Sequence, residues 1–99
     1  MAIIYHVTTA AEWKAAKEKN YYESPSLKTE GFIHCSASHQ VAGVLDRYFN
    51  GQTGLVKLVI DTEKLGSNYV EEWSIPGMDT FPHIYGRINI DSVIDIIAI

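Results

Sequence analysis

Gly31-Phe32-Ile33-His34-Cys35-Ser36 is a short β-favouring run that leads straight into a helical segment. Alternation along a strand puts Phe32, His34 and Ser36 on one face and Ile33 and Cys35 on the other. A histidine in such a run needs explaining, because buried polar side chains require hydrogen-bond partners. Two further histidines, His6 and His83, stand in similar short apolar runs, Ile4-Tyr5-His6-Val7 and Phe81-Pro82-His83-Ile84-Tyr85. Three strands that each carry an imidazole point to a shared polar cleft.

Working back from this stretch, residues 3–7 read as a first strand. Ile4, His6 and Thr8 share one of its faces, and Ile3, Tyr5 and Val7 the other. Thr9-Ala10-Ala11-Glu12 fits a capping box, in which a hydroxyl and a carboxylate each satisfy an orphan amide. It predicts a helix over 10–19 with Trp13 and Ala16 inward. Residues 20–30 are polar, contain Tyr21-Tyr22 and Ser24-Pro25-Ser26, and read as a long loop of the kind that often forms a lid.

Working forward, Ser36 or Ser38 caps a second helix. Its apolar stripe is Val41, Val44, Leu45 and Tyr48, and Asn50-Gly51 ends it. Gly43 inside it costs about 1 kcal/mol against alanine, so a close neighbour is expected there. Residues 55–61 are the clearest strand, with Val56, Leu58 and Ile60 on its apolar face. Residues 62–67 read as a turn and loop. Residues 69–73 form a strand with Val70 and Glu72 on one face, and Ile75-Pro76-Gly77 is a turn. Residues 81–87 read as a strand with Phe81, His83, Tyr85 and Arg87 facing one way, and Pro82 places its start at a sheet edge. Residues 88–90 continue it. Residues 93–99 form a last strand, apolar enough for the interior. Strands outnumber helices and the two helices come early, the pattern of an α+β chain with a mostly antiparallel sheet.

The 99 residues make one domain, 1–99. With 46% hydrophobic and 20% charged residues the chain is of ordinary globular composition. The single cysteine, Cys35, excludes an intrachain disulfide. There is no basic leader before Ile3 and no apolar run of membrane-spanning length. A cytoplasmic location is expected, with no membrane partner. Residues 1–50 carry five basic and five acidic side chains, and residues 51–99 three and seven. Without a basic cluster the chain lacks the footprint of a nucleic-acid binder, so a small ligand or a protein partner is expected.

The predicted cleft gathers His6 and Thr8, His34 and Ser36, and His83, Tyr85 and Arg87 over walls of Ile4, Phe32 and Phe81. Apolar walls with a few convergent polar groups are the make-up of a ligand pocket. The plainer alternative makes each histidine part of a hydrogen-bonded core. His34 or His83 suits general acid–base work near neutral pH. Glu72 is the candidate catalytic carboxylate for chemistry at a sugar, against the alternative of an exposed strand edge. Arg87 suits a phosphate or carboxylate, and Ser36, Ser38 and Gln40 surround a helix start that could hold an anion. Three histidines could ligate a metal, but no HxxxH, CxxC or HxH spacing occurs and no metal is expected. Cys35 faces the core, where a free thiol is packing rather than a nucleophile.

Ile4-Tyr5-His6-Val7-Thr8 with Trp13, the Gly31–Ser36 run followed by Gln40, and Phe81-Pro82-His83-Ile84-Tyr85-Gly86 together resemble the bacterial family of domain of unknown function 952, over nearly the full chain. The resemblance implies a fold similar to the ADP-ribosyltransferase catalytic core: two small, mainly antiparallel sheets packed at an angle around a nicotinamide–ribose cleft. It implies NAD or a related nucleotide as substrate, with ADP-ribosyl- or phosphoribosyl-type transfer. His6 falls where that wider class holds the cofactor ribose. Ile33 or His34 stands where a stacking tyrosine is usual. Tyr85 or Arg87 occupies the late strand of the usual glutamate, leaving Glu72 as an earlier, second base. These departures keep open a non-catalytic binding module on the same fold.

Overall fold

In the computed structural model, which describes residues 2–99, the elements run β1 (Ile3–Thr9), α1 (Ala10–Lys19), β2 (Tyr21–Tyr22), α2 (Ser26–Thr29), β3 (Ile33–His34), α3 (Val41–Tyr48), β4 (Leu55–Asp61), β5 (Tyr69–Ser74), β6 (Asp79–Ile84), β7 (Ile88–Asn89) and β8 (Val93–Ala98). Single 3₁₀ turns, Ser38–Gln40 and Ile90–Ser92, precede α3 and β8. The chain is α+β with antiparallel sheets.

The first helix forms as its capping residues dictate. The Glu12 amide donates to Thr9 Oγ1 at 3.0 Å, and the Thr9 amide donates to Glu12 Oε1 at 3.4 Å. Trp13 and Ala16 are buried, as the spacing requires. They pack with Val56, Leu58 and Ile60 of β4, the predicted apolar face, in the main core. β4 is the centre of the sheet β1-β4-β8. On the opposite side Val7, Val41 and Leu55 form a second cluster with Tyr5, Leu45 and Phe49. β1 is therefore covered on both faces, Ile4 with the polar His6 and Thr8 on one side and Val7 with the half-buried Ile3 and Tyr5 on the other.

A second sheet runs β3-β6-β5, and β2 pairs with β7 as a separate two-stranded ladder. One bridge joins the two larger sheets. Tyr5 and Ser36 exchange backbone hydrogen bonds of 2.8 and 2.7 Å. That junction sets His6, one residue after Tyr5, beside His34, two before Ser36.

Several expectations are corrected. Residues 20–30 are not one loop: Tyr21–Tyr22 pairs with β7, and Ser26–Thr29 makes a helical turn. Tyr22 of that strand is buried in the main core. Pro82 lies in the central strand of its sheet, not at an edge. An antiparallel residue points its N–H and C=O to the same neighbour. Pro82 offers its carbonyl to the Cys35 amide at 2.9 Å and has no N–H to return, so the ladder with β3 stops there. β6 ends at Ile84, and residues 88–89 belong to another ladder. The last strand is an edge, not interior, with Ile94, Ile96 and Ile97 about 40% exposed. Apolar content alone could not place it, since the centre of the sheet was already taken by β4. The cap ahead of α3 is Gln40 rather than Ser36 or Ser38. Its side chain makes no capping bond to α3 and instead closes the 3₁₀ turn before it, Oε1 accepting the Ala37 amide at 2.9 Å.

Candidate functional site

The junction of the two sheets opens into a cavity of about 610 Å³. His6, Thr8, His34, Ser36 and His83 all line it, with Phe32 and Phe81 among its apolar walls. The convergence of three imidazole-bearing segments is thus present, and each of the three imidazoles has a different environment.

His83 is held from behind. Glu72 faces Phe81 across the β5–β6 ladder, which sets its carboxylate diagonal to His83 on the same face. His83 Nδ1 lies 2.9 Å from Glu72 Oε1. The Tyr85 hydroxyl donates to the same oxygen. These bonds, Tyr85 first and His83 second, hold the Glu72 carboxyl below its ordinary range, and the same contact raises the Tyr85 phenol. An ionised carboxylate only accepts, so Nδ1 carries a proton and donates it to Glu72. The Nε2 of His83 is buried and has no hydrogen-bond partner among the described residues. Trp13 Nε1 shares this state but sits in the main core. The His83 ring stacks on Phe32 at 4.1 Å and 19°. The His34 ring meets it edge-on at 5.2 Å.

His34 stands at the mouth. Its ring is half exposed, and Nε2 lies 2.8 Å from Glu30 Oε2. His6 is enclosed. Its Nδ1 is 2.6 Å from the His34 carbonyl and its Nε2 2.8 Å from the Tyr22 hydroxyl. Tyr22 reaches Thr8 Oγ1 at 3.1 Å, and Thr8 reaches Glu12 Oε1 at 3.0 Å. Burial pushes the His6 imidazole down to about 4, so it is neutral at pH 7. Three protons then serve four short contacts along this chain of groups. Both nitrogens of His6 already face a protein group, so binding a ribose there would displace one of them.

The remaining predicted residues are placed elsewhere. Glu72 and Tyr85 stand behind His83 rather than on the cavity wall. Gln40 is a buried clamp, its Nε2 donating to Asp79 Oδ2 at 2.9 Å and to the Thr80 carbonyl at 2.8 Å. The bond from Gln40 is the main reason that the Asp79 carboxyl lies below its usual range. Asp79 thus already sets a carboxylate beside the helix start where an anion was expected. Arg87 does not share the face of His83, because β6 ends before it. It pairs with Glu23 at 3.3 Å and lies 3.9 Å over the Tyr21 ring. Among the described residues no group of three His, Cys, Asp or Glu side chains is placed to hold a metal. Cys35 is buried, and burial raises its thiol.

Four contributors escaped the sequence reading: Tyr22, Glu12, Glu30 and Arg47, the last a residue of α3 on the cavity wall. Glu30 lies four residues before His34, and Glu12 four after Thr8, spacings that could have flagged them. Nothing local distinguishes Tyr22 from Tyr21.

The family model described as "Protein of unknown function (DUF952)" matches residues 7–96. No curated protein matches the sequence. Among solved structures, the crystal structure of protein CC0527 from Caulobacter crescentus is similar, with TM-score 0.86 and 35% identity over 96% of this chain and 83% of that one. A crystal structure of a double mutant of the same protein has TM-score 0.86 at 34% identity. Its solution NMR structure has TM-score 0.81 at 36% identity over 97% and 83%.

Proposed function

We propose, from the premise that the chain belongs to the DUF952 family, that its cavity binds NAD or a related nucleotide and that His83 is the general acid–base group there. The observation that carries the reading is that His83, a residue of the cavity wall, keeps a buried and unpartnered Nε2 while its Nδ1 is fixed by Glu72. Such a nitrogen is costly to bury unpaired, and a ligand hydroxyl would complete it. The cavity volume falls in the range usual for small-molecule sites, and the Phe32–His83 stack offers a planar wall for a ring. In an ADP-ribosyl-type transfer His83 Nε2 would take the acceptor hydroxyl proton as the new C–O bond forms. The nicotinamide would leave with the electrons of the broken C–N bond. Glu72 would act through His83 as a positioning residue, and His34 would assist from the mouth. The two sheets joined at Tyr5–Ser36 suit the ADP-ribosyltransferase-like arrangement that the sequence resembles.

A second reading is a binding module without turnover. It is favoured by the engagement of both carboxylates on the cavity wall, Glu12 with Thr8 and Thr9 and Glu30 with His34. Among the described residues that leaves no free carboxylate on the cavity wall to face a sugar.

Thermal shift against NAD, ADP-ribose, nicotinamide and other nucleotides tests the binding. Ligand at 100 times its dissociation constant adds about 2.7 kcal/mol, a rise of roughly 10–20 °C for a domain this size. Nicotinamide release from NAD that disappears in His83→Ala, with the thermal shift retained, supports catalysis. A shift without turnover selects the module, and no shift with any nucleotide removes the reading.

A further inference from the structure

Arg47 lies on the cavity wall on the same helix face as Val44 and Tyr48. Its guanidinium folds back over its own helix: a Cβ added at Gly43 would come within 3.0 Å of Nη1. On the other side, a Cβ added at Gly77, in the β5–β6 turn, would come within 3.2 Å of Nη2 and would collide with the Phe81 ring. Two glycines on separate elements thus clear the space that the guanidinium occupies. One of them carries the helix-interior penalty of glycine. The cation also lies 5.9 Å over both the Tyr48 and Phe81 rings. It makes no ion pair or hydrogen bond among the described residues. The other arginine, Arg87, has its carboxylate. In a chain of net charge −4, an exposed guanidinium at the cavity wall with no carboxylate beside it is a place for an anion.

We infer that Arg47 is the anion anchor of the cavity and holds the phosphate of the ligand. The substrate class is then a phosphorylated small molecule whose ring lies toward Phe32 and His83. Phe81, under the guanidinium, and His83 alternate on one face of β6, about 7 Å apart along the strand, a spacing that a sugar between base and phosphate bridges. The planar fork of arginine suits bidentate phosphate contact. The ring and its sugar rest on the nucleotide reading above. The anion site itself does not.

Isothermal titration of pyrophosphate, adenosine and ADP-ribose into the wild type, Arg47→Gln and Arg47→Lys separates the two. Arg47→Gln is expected to lose about 10–100-fold affinity for pyrophosphate and ADP-ribose, the worth of a charge-assisted contact, with adenosine unchanged and Arg47→Lys intermediate. An unchanged melting temperature of the unliganded variants shows that the fold is retained. Equal binding of pyrophosphate by wild type and Arg47→Gln, or none by the wild type, overturns the anchor. Pyrophosphate binding that depends on Arg47, with no binding of adenosine or ADP-ribose, keeps the anchor and overturns the nucleotide reading. ADP-ribose bound equally by wild type and Arg47→Gln overturns the anchor and keeps the nucleotide.

Discussion

His6, His34 and His83 differ in how their ring nitrogens are partnered and how deeply they are buried, and that sets what each can do. His34 has one nitrogen on Glu30 and half its ring in water. His83 has one on Glu72 and one buried and bare, the arrangement that a proton-transferring imidazole needs. His6 has both engaged, and its imidazole is pushed by burial from 6.5 down to about 4. The folded state then binds fewer protons than the unfolded chain between those values. Stability from this residue is complete above pH 6.5 and is lost as pH falls toward 4, at about 1.4 kcal/mol per pH unit and roughly 3 kcal/mol in all. Urea unfolding between pH 7 and 5 is expected to show this fall in the wild type and a flatter profile in His6→Gln. Equal slopes in the two proteins would mean that His6 is not held neutral by the fold.

At the scale of elements, the start of α3 is fastened to β6 by one side chain. Gln40 accepts the Ala37 amide and donates to Asp79 and to the Thr80 carbonyl, so it closes the 3₁₀ turn that leads into α3 and ties the hairpin to it. Gln40→Ala leaves these groups without their partner and is expected to cost about 1–3 kcal/mol, read as a lower urea midpoint with unchanged slope. Arg47 and Gly77 sit on the two elements that Gln40 joins, so the same variant is expected to loosen the cavity wall and weaken pyrophosphate binding. A stability loss below 0.5 kcal/mol on the scale of ordinary surface changes would show that the clamp is not needed.

For the whole molecule, β4 carries the load. It pairs with β1 on one side and β8 on the other, and Leu58 and Ile60 are fully buried between the sheet and α1. Leu58→Ala is expected to cost about 2–5 kcal/mol in lost burial and residual cavity. That is a large share of the roughly 5–15 kcal/mol available to a domain. Calorimetry reads it directly, and a loss under 1 kcal/mol would mean that the core relaxes around the change. The cavity, by contrast, lies where the two larger sheets meet, among the described residues, through a single bridge, Tyr5 to Ser36. Little backbone pairing spans that junction, which leaves room for a ligand between the sheets.

The amino-acid order by itself determined what depends on neighbours a few residues apart. The capping box at Thr9 and Glu12, the inward Trp13 and Ala16, the apolar face of β4 and the tight approach at Gly43 are local geometry, and all of them are present. The three histidine-bearing segments that converge were legible because each imidazole interrupts an apolar strand. Tertiary structure alone decided what depends on partners far along the chain. Glu72 lies behind His83 rather than in the cavity because β5 and β6 pair in one register. Arg87 turns to Glu23 because β6 ends at Ile84. Gln40 is consumed by Asp79 and Thr80, about forty residues away. His6 is locked by Tyr22 and the His34 carbonyl. Arg47 becomes a cavity cation only where Gly77 is folded against it. Strand alternation assigns a face, but which group meets a side chain on that face is fixed by long-range pairing, and periodicity carries no record of it.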